Sequence, residues 1–345
     1  MKKHHWGAIA AVLLLLAAVA FVMYRWRTSG FDIHQFADSL RNVDWAWMAG
    51  ALALILLTYV GRSLRWEVML RPLTKPDFLG VLRATCIGFT AVVLFGRAGE
   101  PVRPYLIARN EKVSFPSQMA AWVVERILDL LMVLLIFGIA LTQVSRSAVS
   151  HGPHVQHILQ AGGTLAGLAG AICLALLIAL RQFKGNVQTR LLESLAFLPA
   201  PLHKRFEVFF AAFGEGMQST RSSSFTLLLI LYSAIEWMII IGCDVCIFHA
   251  FPATASLGLT DVIIVLGFVS FGSIVQIPGV GGGMQIVTVL VLTEFYGISL
   301  EAASSVALTL WLVSFVVIVP VGLILAFHEG IKWRNLRHID TGTST

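Results

Sequence analysis

The chain has 345 residues, of which 57% are hydrophobic and only 13% charged. Soluble globular proteins carry about 25% charged and about 45–50% apolar residues, so both departures point to lipid. The apolar residues fall in blocks long enough for a hydrocarbon core of ~30 Å, roughly 20 residues each. That excludes a soluble enzyme, a disordered tail and a single-span anchor carrying a large soluble domain. The net charge of +6 would suit nucleic acid in a soluble protein. Here the basic residues sit in short loops beside apolar blocks, so membrane lipid, and no nucleic acid, is the expected partner.

In chain order, MKKHHW leads into an apolar run from Gly7 to Met23. Ala18-Val19-Ala20 has the small residues of a signal-peptidase site, yet the apolar run continues past it, and an uncleaved first span over 7–24 is expected. Further spans are expected at 45–61, 118–142, 160–181, 225–249 and 303–327. Two apolar segments are shorter or interrupted. One, 82–95, runs into Gly96-Arg97-Ala98-Gly99-Glu100-Pro101. The other, 258–276, breaks at Pro278-Gly279-Val280-Gly281-Gly282-Gly283 and resumes at 284–296. The expected fold is all-α: a polytopic helical membrane bundle with about six full spans and two broken, re-entrant hairpins. It forms one membrane domain, 1–327, followed by a short cytoplasmic tail, 328–345.

Orientation follows from Lys and Arg. With a cytoplasmic N-terminus and both broken segments turning back, twenty basic residues fall inside and four outside, with Arg126 left within a span. This places the chain in the bacterial inner membrane with both termini cytoplasmic. The polar connection 182–224 repeats Val187, Leu191, Leu195 and Leu198, then Leu202, Phe206, Phe209, Phe210, Phe213 and Met217, at helical spacing. It reads either as interfacial amphipathic helices or as a linker packed on its own protein. Trp6, Tyr24, Trp26, Trp45, Trp47, Trp66 and Trp333 stand at expected span ends, as interface anchors do.

The two breaks carry the functional argument. Backbone that leaves helical geometry inside a bilayer exposes polar groups at several kcal/mol each unless protein or water satisfies them. A broken segment in each half of a transporter marks a substrate site. Hairpins entering from opposite sides are what an inverted repeat produces; taken singly, each glycine run reads as a tight loop. Charge follows the first break: Arg97, Glu100, Arg103, Arg109, Glu111 and Lys112. The next helix, opening at Ser114 and Pro116, carries Glu125, Arg126 and Asp129. Glu125 and Asp129 share a face, and Arg126 and Asp129 are spaced to pair. Such charges cost at least ~2.5–3.5 kcal/mol each within a span, so they are expected to face the interior. They form either a headgroup site, with Arg97 and Arg103 meeting an anionic phosphate in bidentate fashion, or a structural ion-pair network. Glu236 and Asp244 lie within 225–249 and are candidates for a proton or cation site, or for interhelical hydrogen bonds.

Other signals are weak. Cys243-Asp244-Val245-Cys246, with His249 beyond, is formally a C-x-x-C, but it lies in an apolar span and reads as core. His151, His154 and His157 sit in an external loop around Pro153 with no acid near, so no metal site is expected. No P-loop, H-E-x-x-H or G-x-S-x-G occurs, and no cofactor is expected.

At these residues the sequence resembles the membrane domain of bacterial lysylphosphatidylglycerol synthases/flippases and the stand-alone flippase-like proteins related to it. The resemblance covers about 50 through 327. Its most specific piece is GRAGEPVRPYLIARNEKVSFPSQMAAWVVERILDLL, residues 96–131, where Arg97, Gly99, Glu100, Arg103, Glu125, Arg126 and Asp129 fall on the family's pattern. The second is IPGVGGGMQ, residues 277–285, similar to its Pro-Gly-Gly-x-Gly element. Gln285 stands where the family usually has Glu, and Trp311 stands near where many relatives have a basic residue. The resemblance implies lipid translocation or lipid binding, without the family's aminoacyl-transferase domain. Its expected site comprises Arg97, Glu100, Arg103, Glu125, Arg126 and Asp129, with Pro278, Gly279, Gly282 and Gln285 on the opposite wall. The ligand is an anionic phospholipid or polyprenyl-phosphate lipid. The rivals are an integral-membrane enzyme using Glu125 or Glu236 as general acid or base, and an accessory partner of a separate glycosyl- or aminoacyl-transferase. The enzyme reading gains if Glu236 faces Arg97 in one pocket.

Overall fold

The computed structural model describes residues 30–144, 163–164, 166–175, 193–195, 200–216, 223–273 and 276–330. The expected first span and the three external histidines lie outside the described residues. The helices in chain order are α1 (Ile33–Arg41), α2 (Trp45–Leu70), α3 (Phe78–Phe95), a 3-10 turn (Gly96–Gly99), α4 (Val102–Glu111) and α5 (Phe115–Val144). Then come α6 (Ala166–Ala175), α7 (Ala200–Gly216), α8 (Ser223–Ala250) and α9 (Leu259–Gly272). A two-stranded ribbon follows, β1 (Gln276–Ile277) and β2 (Gly281–Gly282), then α10 (Gly283–Tyr296), α11 (Leu300–Trp311), a π turn (Leu312–Val316) and α12 (Ile318–His328). The expected all-helical membrane bundle is what forms. Among the described residues, Trp45–Leu70, Phe78–Gly99, Ser224–Ala250 and Leu300–His328 are long and apolar enough to cross a bilayer.

Helix starts follow their caps. The carboxylates of Asp32, Asp44 and Asp77 accept from the first free backbone N–H groups of α1, α2 and α3, and the Ser299 hydroxyl does so for α11. Two boundaries differ from expectation. The second span continues to Leu70, so Arg62, Arg65 and Trp66 are helical rather than part of a loop at 62–83. The last span is interrupted by the π turn. The helix α1 went unforeseen; its Ile33, Phe36 and Leu40 repeat at helical spacing. It packs on α11, with Asp32 N–H donating to Glu301 Oε1 at 3.2 Å and Ser305 Oγ to the Phe36 carbonyl at 3.1 Å.

Both broken segments turn back. By length and composition Phe78–Gly99 could cross alone, but α4 packs along α3 and returns the chain to its start. There Asp77 N–H donates to the Glu111 carboxylate at 3.3 Å. The turn demands glycine twice. Gly96 has φ +62, and a Cβ on Gly99 would lie 2.2 Å from the Ala91 carbonyl oxygen. The second hairpin pairs α9 with α10, and Tyr296 Oη at its base lies 3.4 Å from the Asp261 carbonyl. Its tip is the ribbon, in register Gln276 with Gly282 and Ile277 with Gly281.

The hairpins enter from opposite ends of α2, as an inverted repeat would place them, and each has its own apolar core. The first hairpin, the C-terminal part of α2 and the start of α5 share a core built on Trp66, Leu70, Val81, Leu106 and Val124. The second hairpin, the N-terminal part of α2, the C-terminal part of α8 and α11 share another, built on Ala51, Ile247, Val265, Leu292 and Val306. The amphipathic connection forms α7. It packs against α5, with Gly216 against Ser117, while Leu202, Phe206, Val208 and Phe209 stay exposed. Within the described part, 200–216, one face therefore packs on the protein and another is exposed; most of the rest of 182–224, including Val187, Leu191, Leu198 and Met217, lies outside the described residues.

In a protein with Cys86, Cys173, Cys243 and Cys246 replaced by alanine, Thr74→Cys and Lys112→Cys will react with a membrane-impermeant maleimide from the same side of sealed vesicles. Ser256→Cys and Gly297→Cys will react from the other side. Labelling of Thr74→Cys and Lys112→Cys from opposite sides would make the first hairpin a full crossing.

Candidate functional site

Between the two cores lies a layer of charge. Arg65, fully buried on α2, is its centre. Its guanidinium donates to Glu125 Oε1 and Asp129 Oδ1, each at 2.6 Å, and to Ser233 Oγ at 3.0 Å, and it lies 3.3 Å from Glu236 Oε2. One arginine thereby ties α2 to α5 and α8. Arg103 of α4 donates to the other Glu125 oxygen, which ties the first hairpin to the same knot. Arg62 Nε lies 2.9 Å from Glu236 Oε1, and Arg126 lies 3.0 Å from both Glu125 and Asp129.

Aromatic rings fix the guanidinium planes. Arg103 stacks 4.0 Å from the Trp66 ring centroid, and Arg62 lies 4.5 Å from that of Phe89. Trp66 is completely buried, with its Nε1–H donating to Gln118 Oε1 at 2.9 Å; it is a plate for Arg103, not an interface anchor. Trp45 and Trp47 are exposed, as anchors are.

The knot borders a cavity of about 580 Å³. Arg62, Arg97, Glu100, Arg103, Arg126, Asp129, Glu236 and Asp244 all contribute to its wall, whereas Glu125 and Arg65 stand behind it. The remaining wall is mostly apolar, with Val133, Leu266 and Phe271 among its residues. The knot has four guanidiniums, Arg62, Arg65, Arg103 and Arg126, against the three carboxylates of Glu125, Asp129 and Glu236. One positive charge is left over. Arg62 Nε and Arg126 Nη2 face carboxylates, but Arg103 Nη1, Arg65 Nε and Arg126 Nε are buried without a hydrogen-bond partner among the described residues. Buried donors are nearly always satisfied in folded proteins, so such a cluster marks where an acceptor belongs.

The hairpin tips meet head to head beside this cavity. Gly279 N–H donates to the Val93 carbonyl at 2.9 Å, Pro278 abuts Gly96, and Arg97 Nη2 donates to the Ser273 carbonyl at 3.1 Å. Arg97 also pairs with Glu100 at 2.5 Å.

The expected site residues therefore divide. Glu125, Arg126, Asp129 and Arg103 come together, and Glu125 holds Arg103 directly. Arg97 and Glu100 share the cavity as a separate pair. Pro278, Gly279, Gly282 and Gln285 are not on its wall; the second hairpin lines it with flanking residues such as Ser270, Ser273 and Met284. Gln285 staples the tip instead, accepting from Gly282 N–H at 2.7 Å and donating to the Val280 carbonyl at 3.1 Å. A glutamate there would lose the second bond, so the departure from the family's pattern has a structural use. Glu236 and Arg97 do share one cavity, but Glu236 is engaged by two arginines. Cys243 is buried, and its thiol donates to the Ala51 carbonyl at 3.4 Å. Sequence reasoning missed Arg62 and Arg65 by assigning them to a loop. The available signal was the helical spacing of Tyr59, Arg62, Trp66 and Met69 beyond residue 61.

Arg65→Ala will destabilise the protein by about 3–5 kcal/mol, because it breaks a buried ion-pair network and takes one partner each from Glu125, Asp129 and Glu236. Thermal unfolding in detergent measures this, with exposed Arg71→Ala as the reference.

No solved structure matches the chain. It is 30% identical over 135 residues to a protein described as glycosyltransferase AglD from Haloferax volcanii, a match covering 39% of this chain and 21% of that protein. The chain thus spans about a fifth of that relative's length. The description lysylphosphatidylglycerol synthase TM region matches residues 8–322, nearly the whole sequence, and the chain belongs to that membrane family.

Proposed function

We propose that the chain binds an anionic amphipathic lipid in the cavity between the hairpins and moves it between leaflets of the bacterial inner membrane. The lipid is a phospholipid or a polyprenyl-phosphate lipid. The observation that carries this reading is the excess guanidinium charge with unpartnered N–H groups on the wall of a largely apolar cavity. A phosphate accepts from Arg103 Nη1 and neutralises the surplus. Glu125, behind the wall, keeps Arg103 oriented, and Trp66 and Phe89 hold the guanidinium planes ready. Charge-assisted bonds of this kind are roughly twice as strong as neutral ones. Apolar side chains on the same wall accept the tail, so headgroup and chain are solvated in one place. With no nucleotide-binding motif in the sequence, movement is passive or ion-driven.

The similarity to a glycosyltransferase over part of the chain favours a second reading, in which the cavity presents a lipid to a separate glycosyl- or aminoacyl-transferase. Headgroup chemistry within the cavity itself is less well supported. Glu125 stands behind the wall with both oxygens ion-paired, and Glu236 is held by Arg62 and Arg65.

Reconstitution into liposomes with fluorescent phosphatidylglycerol or a fluorescent polyprenyl phosphate tests the proposal. Wild type will accelerate transbilayer exchange. Arg103→Ala and Glu125→Gln will slow it by about tenfold or more, the worth of a hydrogen bond to a charged group. Exchange no faster than in empty vesicles, with either lipid, would sink the flippase reading.

A further inference from the structure

The helix α8 carries two buried acids on the cavity wall, and they are not equivalent. Glu236 lies between Arg62 and Arg65. Asp244, only 5% exposed, makes no hydrogen bond or ion pair with any described residue, and it too lines the cavity. Eight residues of helix separate the two, a rise of about 12 Å and a turn of about 80°. The antiparallel pairing of α8 with α2 fixes the direction: Glu236 is level with Arg62 and Arg65, and Cys243 with Ala51. The cavity is therefore bipolar, with guanidiniums at one end and a lone carboxyl toward the other.

We infer that Asp244 is a proton-binding site, and that its protonation is coupled to occupancy of the guanidinium end by the lipid anion. The coupling rests on the proposed function; the proton site stands without it. An isolated carboxylate in an apolar interior costs far more than local contacts return, and the usual resolution is uptake of a proton. The charged and titratable groups on the wall are otherwise placed. From α2 come Tyr59 and Arg62, from α5 Arg126 and Asp129, from α8 itself Glu236 and Cys243, and from the first hairpin Arg97, Glu100 and Arg103. The second hairpin contributes hydroxyls, Ser270 and Ser273, and the π turn contributes Ser314. Among the described residues no group of three His, Cys, Asp or Glu forms a metal site. Coupling needs no motion. Across about 12 Å, at an effective dielectric of about 20, a unit charge on Asp244 changes the affinity of the guanidinium end for a phosphate about tenfold. The neutral acid favours the anion and the carboxylate repels it.

Two readouts on the full chain separate this inference from the function it builds on. Infrared difference spectra of wild type against Asp244→Asn, from about pH 5 to about pH 9, will show one protonated carboxyl stretch that titrates and vanishes in the variant. No such band at any pH overturns the proton site. Binding of fluorescent phosphatidylglycerol in detergent micelles will weaken about tenfold from low to high pH in wild type and stay flat in Asp244→Asn. An unchanged pH dependence in the variant overturns the coupling. A shift in affinity on replacing potassium by sodium at fixed pH makes the site a sodium site and overturns the proton assignment. If the lipid fails to bind at every pH, the proposed function falls while the infrared band still decides Asp244. Should Asp244→Asn not fold, Asp244→Glu will keep the band and move its midpoint; an unmoved midpoint overturns the assignment.

Discussion

The structure turns on one buried arginine. Arg65 has no exposed surface and holds carboxylates from α5 and α8, so three long helices are tied at one level. Ion pairs of this kind return little net stability over a well-packed apolar layer, because desolvation offsets much of the attraction. Their effect is on register. Each helix can slide along apolar neighbours with small loss, but not past a partner whose charge would then face lipid. The knot sets the depth of α2, α5 and α8, and through Arg103 and Glu125 the depth of the first hairpin as well.

Around that layer the fold is built twice. Each hairpin sits in its own apolar core at one end of α2, and the tips meet where the cores stop. Backbone that leaves helical geometry inside a bilayer must find partners within the protein. Here the tips supply them for each other, with Gly279 N–H on the Val93 carbonyl and Arg97 on the Ser273 carbonyl. The glycines allow the approach. Where Gly88 faces Arg103, a Cβ would lie 2.4 Å from that residue's own Cβ, so the first hairpin closes only without a side chain there. Closure carries Arg103 onto Trp66 and Glu125. The turn chemistry and the charged site are therefore one construction.

An arrangement held this firmly is pre-organised. The guanidiniums are oriented by carboxylates and rings of the protein itself, and the knot carries an excess of one positive charge. The proposed lipid phosphate would enter such a site with little reorganisation, as binding sites for charged groups in low dielectric require. The wall then changes character toward Asp244, which gives the cavity a direction that a uniform basic pocket would lack.

Much of this was legible in the sequence. Apolar block length gave the membrane bundle, glycine and proline runs gave the two turn-backs, and Glu125, Arg126 and Asp129 announced themselves as charges with no route to water. Those are local properties, fixed by hydropathy, backbone freedom and helical spacing. What local reading missed were partners. Arg62 and Arg65 looked like loop cations because the apolar run thins after residue 61, and a helix that continues on the strength of buried ion pairs has no apolar signature. Trp66 looked like an interface anchor for the same reason. Gln285 belonged to the tip and not the cavity, a distinction that depends on which way a side chain turns. The sequence by itself determined that charge would lie within the membrane bundle. Only the tertiary structure decided which charges neutralise one another, and so which guanidiniums and which single carboxyl remain for a ligand, because pairing depends on distances between helices that are far apart in the chain.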